Sequence, residues 1–411
     1  MITIPVDPLK TYYIWTPLAL TGADLLPEKN VLIEIKDTRI MSIRWMSQDQ
    51  LPLSVTKNPG FICFKDNVTL MPCLIDAHVH LALDGKKIEH PAGLSAQKEL
   101  PRQRIMQTLQ DTGDSGIGAV RDGGDLKGIN LSIKRNITNR NYCGPQIVAT
   151  GQALRRKGSY GSFLGNGYTT ASEIPGLIQS LKAAGADQVK VIASGIASFF
   201  EYGLVKGPVL SSDELRVVTG LARNLKLKVM AHASSAEAVA GVVEAGVDSV
   251  EHGYFVNNHT LQNMADKQIA WIPTIIPVAA QAREPLCIER TAGEIEVIKR
   301  LYEEQLEKLS IAAKAGVPLG IGTDAGAGGV EHASNLVEEM LLYSKAPLDN
   351  RSILRAATTV NAKILGLEKD MGRIEKDYKA ALIAVKGNPL EDLSRLKDII
   401  AHLLIGFKQT F

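Results

Sequence analysis

The middle of this chain repeats one pattern: a helix-length segment of mixed polar and apolar residues ends in glycine, and a short apolar run follows. DSGIGAVRD, AAGADQVKV, EAGVDSVEH and KAGVPLGIGTD are four copies of it. Glycine at that place fits the left-handed conformation that closes a helix, and the short gap suits the loop from a helix into a strand. IDAHVHL, QIVATG, KVMAH and AWIPT add four more strand-like runs, most of them separated by helix-length stretches. Eight such units over residues 71–365 predict an α/β fold, a (β/α)8 TIM barrel whose active site lies at the C-terminal ends of its strands.

The two ends of the chain read differently. VLIEIKDTRIMSI and FICFKDNVTLM are β-rich and lack a helical period, with KNPG between them. After Gly366 the same style returns in DYKAALIAVKGNPL and IIAHLLIGFKQTF, around a turn at Gly387-Asn388-Pro389. Residues 1–70 and 366–411 are therefore expected to pair into one small β-sandwich domain beside the barrel.

Composition narrows the function more by exclusion than by suggestion. Among 411 residues, 22% are charged and 45% hydrophobic, and the net charge is only +2, an ordinary globular balance. The densest basic cluster, Arg155-Arg156-Lys157, is too short for a nucleic-acid footprint. Cys63, Cys73, Cys143 and Cys287 are dispersed without a CxxC pair, which points to reduced thiols rather than a thiolate zinc site or a disulfide framework. TYYIWTPLAL is broken by Thr16-Pro17, and no run reaches membrane-spanning length. A cytoplasmic protein acting on a small molecule, with neither nucleic acid nor membrane as partner, is the expectation.

The strand ends carry the chemistry. His78 and His80 lie two apart in IDAHVHL, so on a strand they face the same side. Lys190 sits in QVKVIASG, His232 ends KVMAH, His252 ends DSVEH and Asp324 ends PLGIGTD. Imidazoles and carboxylates suit zinc and similar divalent ions. A lysine is normally cationic, but a desolvated one beside divalent cations can lose its proton, and the neutral amine can add carbon dioxide to become a carbamate with two anionic oxygens. Strand polarity places Val189 and Val191 outward and Lys190 inward. Taken singly, Lys190 can also be read as paired with Asp324 or with a phosphate, and Asp324 as a helix cap.

The order HxH on strand one, Lys on four, His on five and six, and Asp on eight resembles the amidohydrolase superfamily in its binuclear, carboxylated-lysine form. The terminal β domain is similar too, and IDAHVHL, AVRDGG, VKVIASG, VEHG, WIPT and GIGTDAG resemble its imidazolonepropionase-like and Xaa-Pro (prolidase-type) dipeptidase branch. The resemblance implies two divalent metal ions, zinc first among them. His78, His80 and Asp324 would hold one, His232 and His252 the other, and Lys190, N-carboxylated by CO2, would bridge them. It further implies a carbon–nitrogen hydrolase, a dipeptidase or N-acyl-amino-acid hydrolase, in which a hydroxide shared by the metals attacks and Asp324 shuttles the proton. Relatives are commonly multimeric, which makes a homo-oligomer an expectation. The alternatives are a mononuclear deaminase of a heterocyclic amidine, against which Lys190 argues, and a barrel that binds a ligand without catalysis.

This sequence also departs from the dipeptidase pattern. Where those relatives carry a GGHG-like turn after strand three it has GSYG, which puts Tyr160 in the place of a histidine that contacts the tetrahedral centre. Leu210 replaces an aromatic residue before the Ser-x-x-Glu helix start, and Ala381 replaces an aspartate near the C-terminal strands. Arg155 and Tyr160 share the loop after strand three, Tyr202 follows Lys190 near Phe199 and Phe200, and His332 lies on the strand-eight loop. These four are candidates to touch substrate. His90, His259 and His402 fall outside the ligand pattern, and Arg121-Asp122 reads as a strand lock more than as a ligand-orienting pair.

Overall fold

The computed structural model describes residues 2–3, 10–65, 67–85, 100–138 and 144–403. The first strands are β1 (Ile2–Thr3), β2 (Tyr12–Thr21), β3 (Leu26–Lys36), β4 (Arg39–Trp45), β5 (Phe61–Cys63) and β6 (Val68–Pro72). The middle of the chain supplies β7 (Leu74–Val79), β8 (Ile117–Asp122), β9 (Gln146–Ala149), β10 (Gln188–Ile192), β11 (Lys228–Ala233), β12 (Ser249–His252) and β13 (Ala270–Ile272). β14 (Leu382–Lys386) and β15 (Ile399–Leu403) close the chain.

Both ends of the chain build one eight-stranded sheet in the order β1-β15-β14-β6-β2-β3-β4, with β5 beside β2. Alternation along β14 gives it two faces. Leu382 and Ala384 share a core with Ile14, Ile33 and Leu70, while Ile383 and Val385 join the barrel core with Met71 and Leu74. Ile40 of the edge strand β4 and Leu403 of β15, next to the other edge, enter the same core, so the sheet wraps round it. The last eight residues of the predicted strand IIAHLLIGFKQTF lie outside the described residues.

The barrel strands are parallel, in two runs, β7-β8-β9 and β10-β11-β12-β13. Single bridges join the runs. Leu154 pairs with Val191, and Ile192 N–H reaches Leu154 O at 2.9 Å. The eighth element, expected as a strand in PLGIGTD, is an extended segment that bridges at Leu319 to Trp271 and at Ala325 to Val79. Ala77 N–H to Ile321 O at 2.9 Å and Asp324 N–H to His78 O at 2.7 Å complete the ring. Its irregularity has a cause in Gly322: a Cβ there would lie 2.8 Å from His78 Cβ and 2.9 Å from His78 N. Glycine permits the close approach of the eighth element to the first and weakens a regular ladder.

The helices between strands start and stop as the pattern predicts. Ser211 caps the helix Ser212–Asn224 and Glu214 returns the bond, a capping box. The four glycines of the repeat, Gly116, Gly185, Gly246 and Gly316, all have positive φ, between 79° and 92° or at 76°. No helix among the described residues is long and apolar enough to cross a membrane.

Candidate metal centre

Six side chains predicted from sequence meet at one end of the barrel. His78 and His80 leave the end of β7, Lys190 stands on β10, and His232 and His252 end β11 and β12. Asp324 lies on the segment after Gly322. His78, His80 and Asp324 offer atoms that all fall within 4.8 Å of one another. His78 Nε2 is 3.5 Å and His80 Nε2 3.4 Å from Asp324 Oδ1, and Lys190 Nζ is 3.3 Å from His78 Nε2. The ring of His252 lies 5.2 Å from that of His78 and 4.6 Å from that of His232. His80, Lys190, His232, His252 and Asp324 line a cleft with about 450 Å³ of free space, its open mouth included.

Three of the imidazoles are hydrogen-bonded through one nitrogen and the fourth, His78, has one nitrogen against a carboxylate, which leaves the other nitrogen of each for the cleft. His80 Nδ1 donates to Gly124 O at 2.9 Å. His232 Nε2 donates to Gly195 O at 3.2 Å. His78 Nδ1 faces Glu251 Oε2 at 2.9 Å, and His252 Nδ1 meets the Thr274 hydroxyl at 2.7 Å. This is how metal-ligating histidines are oriented. A second observation agrees: a Cβ on Gly123 would stand 3.1 Å from His80 Nε2 and 3.4 Å from His78 Nε2. Only a residue without a side chain leaves that cradle free, so the donor set fits a divalent ion.

Burial sets the charge states. It holds His78 and His252 well below the ordinary histidine range, with the nearby Lys190 charge adding for His78 and the His232 charge for His252. It pushes His80 and His232 down to about 3. Four neutral rings are what ligation requires. Burial also lowers Lys190, to about 8, against the pull of Glu251 and Asp324, and raises Asp324, to about 7, against the pull of Lys190. Burial thus favours the neutral amine at Lys190 more than water does.

Several supporting residues escape a search of strand ends. Glu251, fully buried, pairs with Arg121 through two bonds of 2.9 and 3.0 Å, and Arg121 also donates to Ala77 O and to Ser249 Oγ. The Arg121 guanidinium thus ties β7, β8 and β12 across the barrel interior, the strand lock expected of it. Asp122 accepts from Leu81 N–H, Gly124 N–H and Asn130, and so shapes the turn that holds His80. Asp76 binds the hydroxyl and N–H of Thr323 and the N–H of His78, which fixes the eighth element beside the first. The only sequence signal for Glu251 is a carboxylate one place before His252, and alternation alone points it to the opposite face.

The residues expected to touch substrate divide. Tyr160 lines the cleft, its ring 5.2 Å from that of His232, and burial raises its phenol so that it stays protonated. Arg155 instead spends its guanidinium on the carbonyls of Tyr160, Ser159 and Gly165. Tyr202 bonds Glu304 and lies under Arg300, 3.5 Å from its ring centre. His332 bonds Leu83 O at 3.1 Å. None of these three lines the cleft. His259 is exposed and His402 is buried in β15, and His90 lies outside the described residues. Cys63, Cys73 and Cys287 are free thiols, and Cys143 also lies outside the described residues.

Comparison with known proteins agrees with this architecture. A model of the amidohydrolase family matches residues 69–406. The chain is 22% identical over 441 residues to ochratoxinase of Aspergillus niger, an alignment that covers 99% of this chain and 88% of that protein. The crystal structure of the A. niger ochratoxinase superposes with a TM-score of 0.79, covering 97% of this chain and 95% of that one at 20% identity. A Xaa-Pro dipeptidase with methionine bound in its active site gives a TM-score of 0.80 at 23% identity, covering 96% of this chain and 98% of that one. A prolidase complexed with N-methylphosphonate-L-proline gives 0.78 at 24% identity, covering 97% and 98%. These structural likenesses show a shared fold, the barrel with its terminal β domain.

Proposed function

The chain belongs to the amidohydrolase family, and from that premise we propose that it hydrolyses the amide bond of a dipeptide or an N-acyl amino acid. Two divalent cations, zinc first among them, would supply Lewis-acid activation of water and of the substrate carbonyl when bound. His78, His80 and Asp324 would hold one, and His232 and His252 the other. Lys190 would bridge them as a carbamate: its neutral Nζ forms a bond to the carbon of CO2 and releases one proton to solvent.

The chain's own residues divide the remaining work. Asp324 Oδ1 faces His78 and His80, which leaves Oδ2 to take a proton from the attacking water and return it to the leaving nitrogen. The protonated Tyr160 hydroxyl donates to the oxygen that gains charge. Leu83, Phe163, Leu164 and Ala327 form an apolar side of the cleft, which suits an apolar substituent beside the scissile bond. The names of the dipeptidase and prolidase among the similar structures support the amide-bond reading.

The observation that carries this reading is the convergence of four buried imidazoles, three of them hydrogen-bonded through the other nitrogen and His78 set against Glu251, on Lys190 and Asp324. A mononuclear deaminase leaves no task for a buried lysine 3.3 Å from His78 Nε2. Metal analysis of the purified protein should give close to two equivalents per chain. A panel of dipeptides and N-acyl amino acids should be hydrolysed ahead of amidine heterocycles. One equivalent together with ammonia release from amidines would overturn the reading.

A further inference from the structure

His80 and His232 each face a backbone carbonyl, which can only accept, so the partner dictates which ring nitrogen carries hydrogen. His252 differs, because its Nδ1 meets a hydroxyl, Thr274 Oγ1, at 2.7 Å, and a hydroxyl can give or take. The neighbouring bond decides. Thr274 Oγ1 has Pro273 O at 2.7 Å as the acceptor of its one proton, and it also bonds the Tyr254 hydroxyl, which keeps its own proton because burial raises that phenol. The hydroxyl can then only accept from His252, so Nδ1 holds the hydrogen and Nε2 keeps its lone pair.

That arrangement depends on an unfavourable backbone. Thr274 has φ 47°, a left-handed conformation that β-branched residues rarely adopt, and such outliers persist only where their surroundings enforce them. Here the enforcement is visible. Fully buried Glu339, on the helix Asn335–Tyr343, accepts the N–H groups of Ile275 and Ile276 at 2.8 and 2.7 Å. Gln305, on the helix Ala292–Ala315, donates to Pro273 O at 2.9 Å and toward His252 O at 3.4 Å. Trp271 Nε1 donates to His252 O at 3.0 Å. Every residue of the WIPT string except Ile272 therefore bears on His252.

We propose that Thr274 is a positioning residue that sets the tautomer of His252, held in its strained conformation by Glu339 and Gln305, so that Nε2 is the atom offered to a divalent cation. The proposal rests on the reading of His252 as a ligand. Its test separates the two. Ring-nitrogen chemical shifts of His252 in full-length, metal-stripped, ¹⁵N-histidine protein report the tautomer without metal, and competition with a chromogenic chelator reports the zinc affinity.

The wild-type protein should show a protonated Nδ1 and a bare Nε2. Thr274→Val should lose that preference and bind the zinc ion that His252 would hold about 10–100-fold less tightly, and Thr274→Ser should restore both. Should Thr274→Val not fold, Glu339→Gln, which keeps one acceptor oxygen, must shift the tautomer signal and the affinity in the same direction. Wild-type shifts and affinity in Thr274→Val, or a Ser variant as impaired as the Val variant, overturn the proposal. The expected tautomer in a protein that takes up one zinc ion leaves the positioning role standing and overturns the binuclear reading.

Discussion

The two halves of the cleft hold their histidines by different means. On the β7 side, charge stands behind one ring: the Glu251 carboxylate faces His78 at 2.9 Å and is itself clamped by Arg121, while His80 rests on the Gly124 carbonyl in a turn that Asp122 shapes. On the β11–β12 side the partners are neutral, the Gly195 carbonyl for His232 and the Thr274 hydroxyl for His252. Carboxylate and carbonyl partners alike orient an imidazole and raise its basicity, and the bond to a charged carboxylate is the stronger. The contrast is sharpest between His78, backed by a charged pair, and His252, backed by the hydroxyl of Thr274 at φ 47°; left-handed backbone occurs in both halves, at Asp324 and His252, φ 55° and 66°. Of two bound cations, the one beside His232 and His252 is expected to leave first under a chelator.

Lys190 belongs to both halves, so its loss should have the largest effect. Lys190→Ala is expected to abolish hydrolysis and to lower the metal content of both positions together, with partial recovery in acetate or formate, whose carboxylates can occupy the place of the carbamate. Normal turnover in that variant would remove the bridge from the account. Glu251→Gln comes next and strikes the His78 half most directly. Arg121 would be left buried without its partner, destabilising the fold by about 3–5 kcal/mol, and the tighter cation should weaken about 10–100-fold. Denaturant midpoints and chelator competition measure the two separately. Equal loss from both positions would show that the halves are not independent.

The candidate ligands were legible because each lies in or just after a short apolar run, those of Lys190, His252 and Asp324 announced by the helix–glycine–strand pattern, and barrel geometry brings all strand ends together. The terminal β domain was legible for a similar reason, since alternation marks its strands wherever they lie in the chain. What supports the ligands was not. Glu251 reaches His78 from a strand more than a hundred residues away, and Glu339 acts on Thr274 through backbone amides, which no residue type announces. Gln305 gave a faint signal: it is the one polar member of the stripe Ile298, Leu301, Gln305, Leu309 and Ala312 that its helix buries. Arg155, Tyr202 and His332 show the opposite limit. Sequence places them on loops near the site, but direction along a loop has no period to read, and each turns to a carbonyl or carboxylate elsewhere.

Acid gives the smallest effect and the finest comparison of the halves, because one ring from each, His80 and His232, is pushed down to about 3, first by burial and then by the Lys190 charge. In the unfolded chain both titrate near 6.5. Below that value the unfolded metal-free chain takes up protons that the folded protein refuses, so the stability from each neutral ring is complete above about 6.5 and is lost as pH falls toward 3. Each ring contributes a slope of about 1.4 kcal/mol per pH unit inside that window. Asp76 and Asp122, raised to about 6 by burial, run the other way, but they are common to every variant and cancel in a difference. Urea midpoints of metal-free protein between pH 7 and 4.5 should therefore flatten by one ring's share in His232→Gln and by the same share in His80→Gln. A smaller change in His80→Gln would mean that its ring is already charged in the fold. The carboxylates behind β7 would then act on proton affinity as they are argued to act on metal affinity, and the asymmetry would be electrostatic in origin rather than geometric.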